Sequence, residues 1–285
     1  MRDDAPSGTA AWVAAMRGLA SCLPDPLCVA RDPFGLRFGG AARVFERRER
    51  LVRATWRVWM RGALASNVHL LQLRTRAIDD VVRDFARTGR QIVIMGAGFD
   101  ARAWRLEELR GVTVYEIDHP ATQRRKRALL AGVHAPHATV RFVAWNFESE
   151  DVRDLPARLR ELGHDATAPS LAILEGVLPY LTEDAIDRTF AAARALGPAG
   201  SPFVFTYLER ALVDVAHTER ALVSLLGEPY KHGFVPRDLP QFLAARGFRL
   251  EDDVAMVDLA RSVLPKSEVA RLRRAGRHVA LAIRC

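Results

Sequence analysis

The feature that most constrains this chain is a rhythm of short apolar runs, each followed by a helical stretch, between residues 91 and 207. The runs are Gln91–Met95 (QIVIM), 112–117 (VTVYEI), Thr139–Ala144, 171–174 (LAIL) and 203–207. Most are continuous in apolar residues, as in strands covered on both faces. Helices are expected between them at 119–131, at about 151–162 and at 182–196. Pro120 suits the first turn of one, and Gly197-Pro198 closes another. Such alternation predicts a parallel sheet with helices on both sides. Further helices are expected at 210–226 and 238–246, and strands near 248–257 and at 278–283. Ahead of the rhythm, Leu70, Leu73, Ala77, Ile78, Val81, Val82 and Phe85 recur at helical spacing over 70–88, with Gly89 as a stop. Residues 1–60 read as helical but broken, by Pro24, Pro26 and Pro33. The segment 44–64 suits one or two amphipathic helices. The expected architecture is α/β and Rossmann-like, with a mostly parallel seven-stranded sheet flanked by helices. Residues 1–66 form an N-terminal helical cap. Residues 67–285 form the main domain, with a substrate-covering insertion near 210–247.

Composition excludes several function classes. No apolar run approaches the roughly 20 residues of a membrane span. The start, MRDDAPSGTAAWVAAM, lacks the basic and apolar regions of a signal peptide, so a cytoplasmic protein is expected. Cys22, Cys28 and Cys285 form no metal-like or disulfide-like spacing. The net charge is +8, yet lysine occurs only at 126, 231 and 266. That reads as a general preference for arginine rather than a nucleic-acid stripe. The densest cluster, Arg124-Arg125-Lys126-Arg127, reads as a solvated helix face.

Ligands of open parallel sheets bind beyond the C-terminal strand ends, so the residues there carry the chemistry. After the first strand comes Gly96-Ala97-Gly98, where backbone can turn tightly and approach a ligand. After the second comes Asp118, able to accept both hydroxyls of a ribose, with Glu116 as a second candidate. After the third come Asn146 and Phe147, an amide for the adenine edge and a ring for its face. After the fourth comes Glu175, which could pair with an ammonium group. Arg74 and Arg76 are candidates for a carboxylate. Asp100 and Arg102 read as a structural pair at the turn. Together these groups match an adenosyl amino acid.

The stretches RTRAIDD (74–80), QIVIMGAGFDARAWRL (91–106), VYEIDHP (114–120) and LEGVLPYL (174–181) resemble the leucine carboxyl methyltransferase family, and within it the bacterial polyketide-type O-methyltransferase branch. The resemblance implies the class I methyltransferase fold and S-adenosyl-L-methionine as cofactor. It assigns Arg74 to the methionyl carboxylate, Gly96 and Gly98 to the tail, and Asp118 to the ribose. Asn146 and Phe147 would flank the adenine, and Glu175 would take the amino group. Relatives carry Asp-Leu where this chain has Asn-Phe, and the Asn oxygen is expected to face adenine N6. The implied acceptor is a small molecule, with a carboxylate favoured. Tyr180, Tyr207 and His232 are substrate candidates. If the acceptor were a hydroxyl, His119, Tyr180 or His232 could supply a base. Three rivals stand beside this reading. The glycine turn and Asp118 also fit an NAD(P)-dependent oxidoreductase. A non-catalytic family member would bind cofactor without turnover. A nucleic-acid methyltransferase would bind RNA or DNA with steep salt dependence; neither nucleic acid nor membrane is expected as a partner.

Overall fold

A computed structural model describes residues 6–218, 230–272 and 276–285. Seven strands form one sheet: β1 (Gln91–Met95), β2 (Thr113–Asp118), β3 (Thr139–Ala144), β4 (Ser170–Leu174), β5 (Pro202–Leu208), β6 (Phe248–Ala255) and β7 (Arg277–Arg284). Their order is β3-β2-β1-β4-β5-β7-β6. β1 to β5 run parallel, while β7 lies antiparallel between β5 and β6. That last hairpin departs from the 3-2-1-4-5-6 order of dinucleotide-binding sheets.

Alternation along each strand divides the core into two layers. Ile92 and Ile94 of β1 face one side, packing with Leu70, Leu73, Ile78 and Val82 of the helix Gly62–Ala86. Val93 and Met95 face the other, with Tyr115, Phe190, Phe203, Phe205 and Phe248. The expected helices at 70–88, 119–131, 151–162, 182–196 and 238–246 are found as Gly62–Ala86, Pro120–Leu130, Leu155–Glu161, Glu183–Arg194 and Leu239–Ala244. The one expected at 210–226 is described as Arg210–Thr218, and its remainder lies outside the described residues. Two short helices between β6 and β7, Met256–Val263 and Lys266–Val269, were not anticipated from sequence.

The helix Gly8–Ser21 begins at a Ser7 cap, whose hydroxyl accepts from Ala10 N–H at 3.1 Å. Its Ala15, Met16 and Ala20 pack with Met60, Ala65, Val68 and Leu71 at the start of the long helix. The long helix therefore continues through position 66, and the cap shares its first turns. Gly18 meets the backbone of Gly35 and Leu36 so closely that a Cβ there would lie 2.3 Å from Leu36 N. This contact brings the N-terminal helix over the strand ends.

One reading of the basic cluster needs correction. Arg124, Arg125 and Arg127 are exposed, but Lys126 is buried. Its Nζ reaches Glu116 Oε2 at 2.5 Å. The helix Pro120–Leu130 turns this one cation toward the sheet, and only there does a carboxylate meet it. Glu116 is thereby committed to Lys126 and does not line the cavity described next.

Candidate functional site

A cavity of about 930 Å³ opens at the C-terminal ends of β1 to β5. Its position follows from the parallel register, which pairs Met95 with Ile117 and so sets the 96–98 turn beside Asp118. Gly96 and Gly98 have φ of 72° and 51°, the left-handed region that glycine enters freely. Gly96 N–H and Ala97 N–H both donate to Ile117 O at 2.9 Å. Gly98 N–H donates to Asp118 Oδ2, and His119 N–H donates to Oδ1 at 2.6 Å. Burial raises the Asp118 carboxyl above its ordinary value, against the pull of these two amides. Each oxygen keeps a lone pair for a further donor.

Under the turn lies a buried ion network. Arg102 Nε donates to Asp79 Oδ1 at 2.8 Å, and its Nη1 donates to Asp100 Oδ2 and, at 2.8 Å, to Glu175 Oε2. Arg105 holds both oxygens of Asp79, at 2.5 and 2.6 Å. Arg74 binds Glu175 Oε1 through Nε at 2.8 Å and also through Nη2. Asp100 and Arg102 are thus the structural pair expected at the turn, and part of a larger assembly. Burial alone would raise the Glu175 carboxyl. The guanidinium groups of Arg74, Arg102 and Arg17 instead hold it well below the usual carboxylate range.

All seven residues expected at a cofactor site line this one cavity: Arg74, Gly96, Gly98, Asp118, Asn146, Phe147 and Glu175. Arg76 does not; it is tied to Asp80 at 2.6 Å. Asn146 is held by its own turn. Its Oδ1 accepts from Glu148 N–H at 3.0 Å and keeps one lone pair, beside the NH₂ group with two hydrogens to offer. Arg17 was missed from sequence. It lines the cavity, with Nε on Asp32 Oδ2 at 2.9 Å and Nη2 on Phe99 O at 2.6 Å. Its sequence signal is a lone charge on the alanine-rich helix Gly8–Ser21.

The substrate candidates separate. Tyr180 lines the cavity, its ring 5.5 Å from that of Tyr230. Tyr207 also lines it, donates its hydroxyl to Asp253 Oδ2 at 2.6 Å and stacks on His278 at 4.7 Å. His278 bridges Asp253 and Glu209, each at 3.0 Å. These carboxylates raise the imidazole above its ordinary value, outweighing the opposing effect of burial. His119 lines the cavity, and its Nδ1 accepts from Ala121 N–H. His232 does not line it. That residue sits in a separate pocket of about 300 Å³ with Asp187, Arg210 and Arg246. Among the described residues, no cluster of His, Cys, Asp and Glu has a metal-binding arrangement.

Known proteins resemble this chain in sequence and in fold. The family model for leucine carboxyl methyltransferase matches residues 10–194. A protein from Mycolicibacterium gilvum, named for S-adenosyl-L-methionine-dependent methyl transfer, is 33% identical over 82% of this chain and 75% of its own. One of the same name from Mycolicibacterium smegmatis is 39% identical over 59% of this chain, a match that spans only 53% of that relative's length. Among solved structures, a methyltransferase of Thermobifida fusca superposes with TM-score 0.56 at 18% identity, covering 99% of this chain and 96% of its own. A protein of Streptomyces avermitilis gives 0.55 at 15% identity, covering 95% and 97%. Both share the fold, the Rossmann-like sheet of class I methyltransferases. With the family model covering well over half of its residues, the chain belongs to the leucine carboxyl methyltransferase family.

Proposed function

We propose that this chain is an S-adenosyl-L-methionine-dependent O-methyltransferase acting on a carboxylate of a small-molecule acceptor. The observation that carries the proposal is the convergence of four strand ends on one cavity, each bringing a group that a different part of the cofactor requires. About 930 Å³ lies near the upper end of ordinary ligand sites and leaves room for an acceptor beside a nucleoside. Asp118 accepts from the ribose hydroxyls. Asn146 donates its NH₂ to a ring nitrogen of the adenine, and Phe147 covers the ring. Glu175 accepts from the ammonium group. Arg74 spends Nε and Nη2 on Glu175, and its Nη1 lies over Gly176, free to meet a carboxylate. The arginine–glutamate pair thus offers one binding element for each charge of the tail.

The cofactor supplies an electrophilic methyl group on a sulfonium. What the chain contributes is alignment and exclusion of water. Helix Gly8–Ser21 and the segment at Tyr180 close over the strand ends and provide that cover. Three of the cavity's polar side chains, Tyr207, His119 and His278, are already engaged, which favours a carboxylate acceptor, ionised at neutral pH and in need of no base. Burial and the neighbouring Asp253 push the Tyr207 phenol far upward, so it stays protonated. His119 has Nδ1 engaged, and His278 holds both nitrogens on carboxylates. In this reading residues 1–66 serve as the cap and 210–247 as the substrate cover.

Titration calorimetry with S-adenosylhomocysteine and with NAD tests the cofactor. Binding of S-adenosylhomocysteine alone is expected; binding of NAD alone would overturn the reading. Labelled methyl transfer to pooled carboxylic acids tests the acceptor. A methyl ester releases its label in mild base and an ether does not, so a base-stable product would replace the carboxylate by a hydroxyl.

A further inference from the structure

The segment 40–61 contributes no residue to the lining of the cavity. It runs as a 3₁₀ helix (Gly40–Arg48), a helical stretch (Glu49–Ala54) and a last short turn (Trp56–Trp59). Six large apolar side chains stand exposed among the described residues. Two of them, Trp12 and Phe147, line the cavity. The other four all fall here: Val44 at 55%, Phe45 at 40%, Leu51 at 58% and Val58 at 67% exposure. Val44, Leu51 and Val58 recur every seven residues, one in each of the three helical pieces, and all three are exposed. Monomeric surfaces seldom gather such residues without a purpose.

The same segment is strongly basic. It carries Arg43, Arg47, Arg48, Arg50, Arg53, Arg57 and Arg61 against Glu46 and Glu49, a net excess of five where the whole chain has eight. Glu46 is already shared between Arg37 and Arg43. Among the described residues, Arg47, Arg48, Arg50 and Arg53 have no ion-pair partner; all four are exposed. Trp56 and Trp59 are half-buried beside them, with Arg57 over the Trp56 ring.

We propose that residues 40–61 form a docking surface for an anionic lipid bilayer, on which the enzyme rests without spanning it. Exposed arginines attract acidic headgroups, while Val44, Leu51 and Val58 enter the acyl boundary and the tryptophans sit at headgroup depth. No helix among the described residues is long and apolar enough to cross a membrane, so the contact is interfacial. A second copy of this chain is disfavoured, because a symmetric contact would press two such positive patches together. A nucleic acid would use the arginines but leave the aliphatic side chains without a partner.

Flotation of the purified full chain with vesicles tests the proposal. Binding is expected to mixed phosphatidylcholine–phosphatidylglycerol vesicles and not to phosphatidylcholine alone, and to weaken with salt. Replacing Arg50 and Arg53 by Gln together is expected to weaken it about thirtyfold at low salt, at roughly fivefold per arginine. Replacing Leu51 and Val58 by Ser leaves every charge in place and is expected to weaken it about tenfold. Both pairs are exposed, so an unchanged melting temperature and S-adenosylhomocysteine affinity show that the fold is kept. Absence of binding to anionic vesicles overturns the proposal. So does binding indifferent to the serine pair, which would assign the patch to an acidic macromolecule, and so does equal retention on RNA of similar charge.

Discussion

Two buried ion clusters flank the strand ends, and they are built to different standards. In the network of Arg74, Arg102 and Arg105 with Asp79, Asp100 and Glu175, every carboxylate oxygen accepts at least one hydrogen bond. In the pair Glu116–Lys126, one oxygen meets the ammonium group while Glu116 Oε1 is buried without a partner. Burial drives the Glu116 carboxyl up to about 7, against the pull of Lys126, whereas Glu175 stays far below its ordinary value. Taking a charge out of water is recovered only when its lone pairs and protons are met. The network whose carboxylate oxygens are all met is the one that faces the cavity, although Arg105 Nε within it is buried without a partner. The incomplete pair sits under the Trp104 ring, where it holds a helix on the sheet.

This contrast can be broken most forcefully at Arg102. Arg102→Met strands three carboxylates and is expected to destabilise the protein by about 3–5 kcal/mol. Chemical denaturation reads this as a lower midpoint; a loss under about 1 kcal/mol would mean that the network is not a unit. Asp118→Ala removes the group proposed to bind the ribose rather than a network member. It is expected to weaken S-adenosylhomocysteine binding by about 1.5–3 kcal/mol in calorimetry while leaving the unfolding midpoint near that of the parent. Unchanged affinity would reject the ribose assignment.

The other cluster should respond in the opposite sense. Glu116→Gln with Lys126→Met replaces an incompletely satisfied pair by neutral groups, and is expected to be neutral or stabilising by about 1–2 kcal/mol at pH 8. The pH dependence follows from a carboxyl raised in the folded state. Between the ordinary glutamate value and about 7, the unfolded chain loses this proton while the folded one keeps it, so stability falls as pH rises. The double variant should flatten that slope, and an unaltered slope from pH 4.5 to 7 would assign the burden to another group. The smallest effect is expected at Tyr207→Phe. Its hydroxyl meets Asp253 away from the adenosyl groups, so S-adenosylhomocysteine affinity should stay within about twofold. A larger loss would place Tyr207 in the cofactor half.

The strands were legible because a strand covered on both faces must be apolar for its whole length. β1 and β3 occupy their expected residues, β4 differs by one residue at its start, β2, β5 and β7 differ by one residue at each end, and β6 stops two residues short. Helices between strands followed from 3.6-residue periodicity and from caps such as Thr182, which accepts from Ala185 N–H. The helices Met256–Val263 and Lys266–Val269 escaped notice because no strong turn signal separates them from β6, and because they are stabilised by distant partners. Glu268 of the second of these meets His69 in the long helix at 3.2 Å.

The sequence alone determined the alternation of strands and helices through residue 207, the glycine turn after the first strand and the acids at the ends of the second and fourth, because those depend on neighbouring residues. It also carried the family resemblance. Tertiary structure decided which charges meet: that Arg74 closes on Glu175, 101 positions away, that Lys126 turns inward, and that Arg17 is carried to the cavity by the close approach of Gly18 to Gly35. An ion pair in a protein depends on distance in space and on exclusion of water, and neither is fixed by spacing along the chain.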